Sequence, residues 1–218
     1  SYAFDFEWSN KNLFFDAYKR TDSYFENSEL ASSGLPSEKE LNFLNPYYDV
    51  LPKEIYTKEY QNPVTDGSGY MRSQLQTASK LLKDSGWELI DGKLINSSTK
   101  ELFEFEILLR SPAFERIVLP FRDNLEKLGM SVTVRTIDTA EYQKKIETFD
   151  FDMIVQNFSQ SLSPGNEQRS FWGSDAADTN GSRNVIGIKN YAIDGLIENL
   201  INAKNREELI TITKALDR

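Results

Sequence analysis

The chain has 218 residues, 39% apolar and 27% charged, enough for one large domain with its own core or two small ones that share an interface. Its formal charge of −9, with acids and bases interspersed, repels nucleic-acid phosphates and anionic membrane surfaces, and no Lys/Arg stripe offsets that. Cys and His are both absent, which removes thiol nucleophiles, disulfides, the usual zinc sites and the ordinary Ser-His-acid triad, while carboxylate and lysine chemistry stay open.

Asp5 is placed to cap a first helix, with Phe6, Asn10, Leu13 and Phe14 at helical spacing and a fade near Tyr18. Residues 20–69 lack regular periodicity. Within them Ser37 and Glu40 form a capping-box pattern for a short helix, and Pro46, Pro52 and Pro63 punctuate a stretch carrying Tyr47, Tyr48, Tyr56 and Tyr60. From 70 to 201 an α/β core is expected. Met71, Leu75, Ala78 and Leu82 share a helical face that Gly86 terminates, and Asp91-Gly92 between short apolar runs signals a hairpin.

Leu102 to Leu109 alternates as a strand. Ser111 and Pro112 open a helix striped by Phe114, Ile117, Val118, Phe121, Leu125 and Leu128, with a kink expected at Pro120. Met130 to Ile137 reads as a second strand. Asp138 and Glu141 cap a helix carrying Tyr142, Ile146 and Phe149, and Phe151 to Asn157 reads as a third strand. Strand, helix, strand, helix, strand predicts an α/β fold with a β-α-β-α-β core of mostly parallel strands. A polar segment, 158–189, follows. Two helical patterns close the chain, one on Ala192 to Ile201 and one capped by Asn205.

Ligands of open α/β sheets meet the loops beyond the carboxyl ends of parallel strands, which singles out the residues after Asn157. That loop offers neutral amides and hydroxyls, one cation and flanking aromatics, a set suited to peptide groups. The competing reading is a solvated loop with Trp172 tucked into the core. Asp150 and Asp152 flank Phe151 at the far end of their strand and read as a solvated edge rather than an acid/base pair. Gly181-Ser182-Arg183-Asn184 lacks P-loop spacing and reads as a turn. Asp175 and Asp178 have no third partner for a cation. No catalytic constellation, cofactor motif or metal-ligand set emerges.

Several fragments, in order, resemble the family 5 extracellular solute-binding proteins, in their YejA-like branch. They are Tyr2-Ala3-Phe4-Asp5 with Asn10 to Phe14, Thr21 to Phe25 with Ser32 to Pro36, Ala78 to Trp87, Leu125 to Met130, and Phe151-Asp152-Met153. The resemblance implies a type II periplasmic-binding-protein-like lobe and no enzyme activity. It implies capture of oligopeptides or peptide-like compounds for an ABC importer, with the transporter permease and the missing first lobe as partners. The location implied is the periplasm or another extracytoplasmic face, without membrane insertion. In that family an aromatic and an acid after the "Y-D-M" strand serve the peptide. Here Phe158 stands at the aromatic position and Ser161 at the acidic one. On this basis residues 1–218 are expected to be the second lobe of a longer protein, with 202–218 starting the return towards the other lobe.

The expected ligand wall is Phe158, Gln160, Asn166, Arg169 and Trp172, facing the interlobe cleft. Arg169 would meet a peptide carboxylate or else pair with Glu167, and Trp172 would line the cleft or anchor the core. Two other readings carry discriminating features: a carboxylate-based glycan hydrolase needs facing acids at catalytic separation, and a protein-interaction domain needs an exposed aromatic patch over Tyr47 to Tyr60.

Overall fold

Phe105, Ile107 and Leu109 point to one side of a strand, and that side must be covered by apolar stripes from helices before the strand can leave water. The computed structural model, which describes residues 1–218, shows how the chain achieves this. In chain order the elements are α1 (Phe6–Leu13), α2 (Glu38–Leu44), α3 (Glu54–Thr57), α4 (Arg72–Asp84), β1 (Trp87–Ile90), β2 (Lys93–Asn96), β3 (Glu104–Leu109), α5 (Glu115–Glu126), β4 (Ser131–Thr136), α6 (Thr139–Glu147), β5 (Met153–Ile154), α7 (Glu167–Trp172), α8 (Tyr191–Ile201) and α9 (Arg206–Asp217). Short 3-10 turns occupy Asn45–Tyr47, Pro112–Phe114 and Ser174–Asp178. No helix is long and apolar enough to cross a membrane.

The chain divides into two compact units, each assembled from separated stretches. The first unit comprises Ser1–Arg20, Asn62–Ile146 and Asp150–Gln156. Its sheet has the order β4-β3-β5, parallel throughout, so β3 to β5 is the β-α-β-α-β unit expected. Ile107 and Leu109 of β3 and Val132 of β4 pack against Val118 and Leu125 of α5, and Leu75, Ala78 and Leu82 of α4 close on the same core. Ser111 caps the turn into α5 by accepting from the Ala113 N–H, and Pro112 follows at the first position. The helix runs on through Pro120.

β1 and β2 form the expected hairpin, with Asp91 and Gly92 both at positive φ (48° and 78°), the signature of a tight primed turn. Gly129 ends the α5 region at φ +90°. A Cβ there would stand 2.9 Å from the Leu94 nitrogen, whose N–H donates to the Gly129 carbonyl, so glycine is required by close approach.

Two expectations need correction in this unit. α1 stops at Leu13, not near Tyr18, because Phe15 and Asp16 both take positive φ and Asn10 ties the Tyr18 backbone through both atoms of its amide. The third strand shrinks from Phe151–Asn157 to Met153–Ile154. Side chains replace ladder partners at its two ends. The Asp152 carboxylate accepts the Glu106 N–H at 2.9 Å, and the Tyr142 hydroxyl donates to the Val155 carbonyl at 3.3 Å. Asp150 meanwhile pairs with Lys145, so the two acids at this strand's start have structural partners.

The second unit comprises Thr21–Gln61, Glu147–Phe149 and Asn157–Arg218, and it contains none of the strands. Asn190 and Asn205 cap α8 and α9, and Ser37 with Glu40 forms the full capping box on α2. Leu44 and Leu51 pack with Ala192, Leu196 and Ala215, which gives the irregular stretch its anchor. Gly195 in α8 makes room for Tyr47, since a Cβ would lie 1.9 Å from its hydroxyl oxygen. The polar segment 158–189, expected to be loop, holds α7 and a 3-10 turn, because Gln168, Phe171 and Trp172 bury one side of a six-residue helix.

Candidate functional site

All five residues expected to form a ligand wall lie in the second unit, and the structure sorts them into two groups. The first is aromatic. Phe158 stacks on Trp172 at 5.1 Å between ring centroids (28° between planes) and stands 6.3 Å from Phe171. Phe171, Trp172 and Ile197 are the buried part of this cluster, and Phe158 packs against it half-buried. Trp172 is therefore the core anchor of the two alternatives, with its indole edge turned to a polar partner.

Tyr24 joins the cluster from the irregular stretch, edge-on to Phe158 at 5.5 Å and 4.8 Å from Trp172. It is 49% exposed. Burial first, then the Asp217 carboxylate and Tyr60, push its phenol above the ordinary value, so it presents an intact O–H. The sequence held no signal for Tyr24, because what places it is 193 residues away. Asp217 accepts from the Tyr24 N–H at 2.9 Å, from the Ser23 hydroxyl at 2.6 Å, and from both the N–H and the hydroxyl of Ser32.

Beneath the rings runs a directed chain of amides. The Trp172 indole N–H can only donate, and it donates to Gln168 Oε1 at 3.0 Å. That leaves the Gln168 Nε2 as donor, and it meets Gln160 Oε1 at 2.8 Å. Gln160 is thereby oriented too. Its Nε2 is the free end of the relay, buried and without a partner. The indole thus decides that Gln160 offers a donor, not an acceptor.

The second group is ionic and exposed. Asn166 stands at the N-cap of α7 without capping it, and its Oδ1 instead accepts from Arg169 Nη1 at 2.7 Å. Arg169 does not pair with Glu167, the alternative partner read from the sequence. It grips Glu198 of α8 through two bonds, 2.7 and 2.8 Å, because α8 carries that carboxylate onto the same face. The side-chain hydrogen bond from Arg169 holds the Glu198 carboxyl below its usual range.

Gly181 to Asn184 is a turn, as expected. Asn184 is buried and bonds the Gly173 and Ile188 carbonyls and the Ile188 N–H, and Arg183 lies over the Phe171 ring at 5.1 Å. Nearby, Arg206 bonds both the Leu162 carbonyl and Glu29, steadying the loop beyond Gln160.

The model of bacterial extracellular solute-binding proteins, family 5 Middle, matches residues 1–180. The chain belongs to that family. The probable peptide-binding protein YejA of Agrobacterium fabrum is 44% identical over 218 residues, all of this chain and 36% of the relative. The uncharacterized protein y4wM of Sinorhizobium fredii is 46% identical over the same length, 33% of that protein. The chain thus spans about a third of the curated relatives it matches. Among solved structures, the oligopeptide-binding protein AppA of Bacillus subtilis, in complex with a nonapeptide, superposes with a TM-score of 0.68 at 17% identity, over 99% of this chain and 37% of AppA. The fold is accordingly that of the type II periplasmic binding proteins, and the family is one of binding proteins.

Proposed function

We propose that the protein to which this chain belongs captures oligopeptides or peptide-like compounds at an extracytoplasmic face, in the periplasm of a bacterium with two membranes, and delivers them to the permease of an ABC importer. Residues 1–218 are its second lobe, with 202–218 returning towards the first. The first lobe supplies the opposite wall of the cleft, and closure of the two walls holds the ligand. Nothing is catalysed. Phe158, Gln160, Asn166 and Arg169 serve the ligand, Trp172 holds Phe158 and the relay in place from the core, and Tyr24 is added to them.

The observation that carries this reading is the amide relay beside the exposed aromatic edge. A peptide offers apolar side chains and carbonyl acceptors, and this region offers the rings of Tyr24 and Phe158 together with the buried, unpaired donor of Gln160. A buried amide donor without an acceptor is unfavourable by about 1–3 kcal/mol, so a ligand carbonyl that reaches it gains affinity. Arg169 receives a peptide carboxylate by exchange with Glu198. Family membership and the peptide named for YejA and AppA support the same class. Asp150 and Asp152, read from the sequence as a solvated edge rather than an acid/base pair, are engaged by Lys145 and the Glu106 N–H, which lends no support to the glycan-hydrolase reading.

The test is mass spectrometry of small molecules released from the full-length parent after purification. Peptides or peptide-like compounds are expected. Consistent recovery of sugars or metal chelates in their place overturns the assignment.

A further inference from the structure

A second unsatisfied atom lies in the first unit, far in sequence from the relay. Asp5 is 7% exposed and caps α1, with Oδ1 accepting the Trp8 N–H at 3.0 Å and the Thr65 hydroxyl at 2.5 Å. Its Oδ2 has no partner. The Thr65 hydroxyl carries one proton, yet Glu7 Oε2 also lies 3.1 Å from the same oxygen. Two carboxylates therefore converge on one hydroxyl, and the donors that reach them, the Trp8 and Thr65 N–H groups and that hydroxyl, are all neutral. A buried carboxylate in this state lacks a counter-charge.

Asp5 also lines a pocket of about 320 Å³. Phe4 and Phe121, edge-to-face at 5.9 Å, and Trp8 give it aromatic walls. Of its other charged groups, Asp123 holds Arg122 at 2.6 Å, and the Lys127 ammonium donates to the neutral Asn124 Oδ1 at 2.9 Å rather than to Asp5. What the pocket lacks is a cationic donor for Asp5, within reach of ring faces that also attract cations. The volume suits a compact ligand.

We propose that this pocket binds a small organic cation, a primary ammonium carried on an aromatic or apolar body. The site is independent of the peptide reading of the second unit. Calorimetry on the full-length parent with phenethylammonium and its neutral counterpart 2-phenylethanol tests it. The ammonium is expected to bind at least about tenfold more tightly, because only it brings a charged donor to Asp5, which Lys127 does not contact. Asp5→Asn keeps a capping side chain and is expected to erase that difference. Ser68→Phe, on the exposed rim, fills the pocket without touching Asp5 and is expected to remove binding, which decides the matter should Asp5→Asn fold poorly. A saturating peptide ligand is expected to leave the ammonium affinity unchanged. Equal binding of ammonium and alcohol, no binding of either, ammonium binding that survives both substitutions, competition by peptide, or a parent structure with its own chain in the pocket each overturns the proposal.

Discussion

The two units cohere by different physics. The first has a parallel ladder, β4-β3-β5, and one apolar core drawn mostly from residues 105–134, joined by Ala3 and by α4. The second has no strand, and its stretches Thr21–Gln61 and Asn157–Arg218 are joined by the apolar packing of Leu44 and Leu51 on Ala192, Leu196 and Ala215 and, in addition, by polar side chains that reach across the sequence. The clearest case is the end of α9. Asp217 collects four bonds from Ser23, Tyr24 and Ser32, while Arg218 pairs with Glu40 and bonds the Ser33, Gly34 and Leu35 carbonyls. Apolar burial is indifferent to pH. A charged clamp is specific, and loses its hold when one partner is neutralised.

The largest expected effect tests the apolar half of that contrast. Leu108 sits on the central strand β3 at 0% exposure. Leu108→Ala removes its packing and leaves a cavity, for a loss of about 3–4 kcal/mol in the first unit. Urea unfolding read by hydrogen exchange should place that loss in residues 104–136, with the same size at pH 4 and pH 7. A pH-dependent loss would break the distinction.

Next comes the clamp. Arg218 and Glu40 have side-chain exposures of 9% and 6%, so Arg218→Met leaves a buried carboxylate unpaired, at a cost of about 3 kcal/mol. Burial alone would raise the Glu40 carboxyl, but hydrogen bonds from Arg218 and Ser37 outweigh it and hold it below its ordinary 4.5. A depressed folded value means the stabilisation is complete above pH 4.5 and disappears as pH falls through the lower folded value. Exchange protection in the second unit should therefore hold from neutral pH down to about 5 and then drop. Glu40→Gln should flatten that acid step, and a step that survives in Glu40→Gln assigns the sensitivity elsewhere.

The same division decided what the sequence could reveal. Periodic stripes such as Phe114 to Leu128 and caps such as Ser37, Asp138 and Asn205 are local signals, and each falls where it was read. The short β5 was misjudged because the Asp152 carboxylate takes a ladder partner's place, which no periodicity encodes. The helix α7 was missed because six residues are too few for a stripe, though Gln168, Phe171 and Trp172 share a face. Phe158 is singled out by its position after a strand, and the structure places its ring on the Phe171–Trp172 cluster. Tyr24 and the partner of Arg169 are not singled out, because Asp217 and Glu198 are brought in by tertiary structure alone.

The proposed ligand wall extends the contrast to binding. Phe158→Ala should weaken peptide binding to the two-lobed parent by about 1–3 kcal/mol with little change in fold, since it removes a half-buried ring from the wall. Gln160→Glu sharpens the point. It keeps the bond from Gln168 but replaces the free donor with an acceptor, so a ligand carbonyl meets a carboxylate oxygen. Affinity should fall about tenfold or more, and because the new carboxylate is buried without a cation the melting temperature should fall as well, so affinity is compared below the unfolding transition. Unchanged calorimetric affinity in both variants would remove the relay from the site.

The smallest expected effect belongs to Arg169. Its guanidinium is half exposed and already engaged by Glu198 and Asn166, so a ligand carboxylate must displace Glu198 before it gains anything. The gain is the difference between two similar ion pairs in water, which is small and screened by salt. Arg169→Gln should therefore lower peptide affinity by no more than about fivefold, and less as salt rises. Glu198→Gln has the opposite sign. With its competitor neutralised, Arg169 is released, and affinity should rise for peptides with a free terminal carboxylate but not for their amidated counterparts. Calorimetry with the two peptide forms separates the possibilities. An equal change for both forms would mean that Arg169 and Glu198 merely tie α7 to α8, and Arg169 would leave the ligand wall.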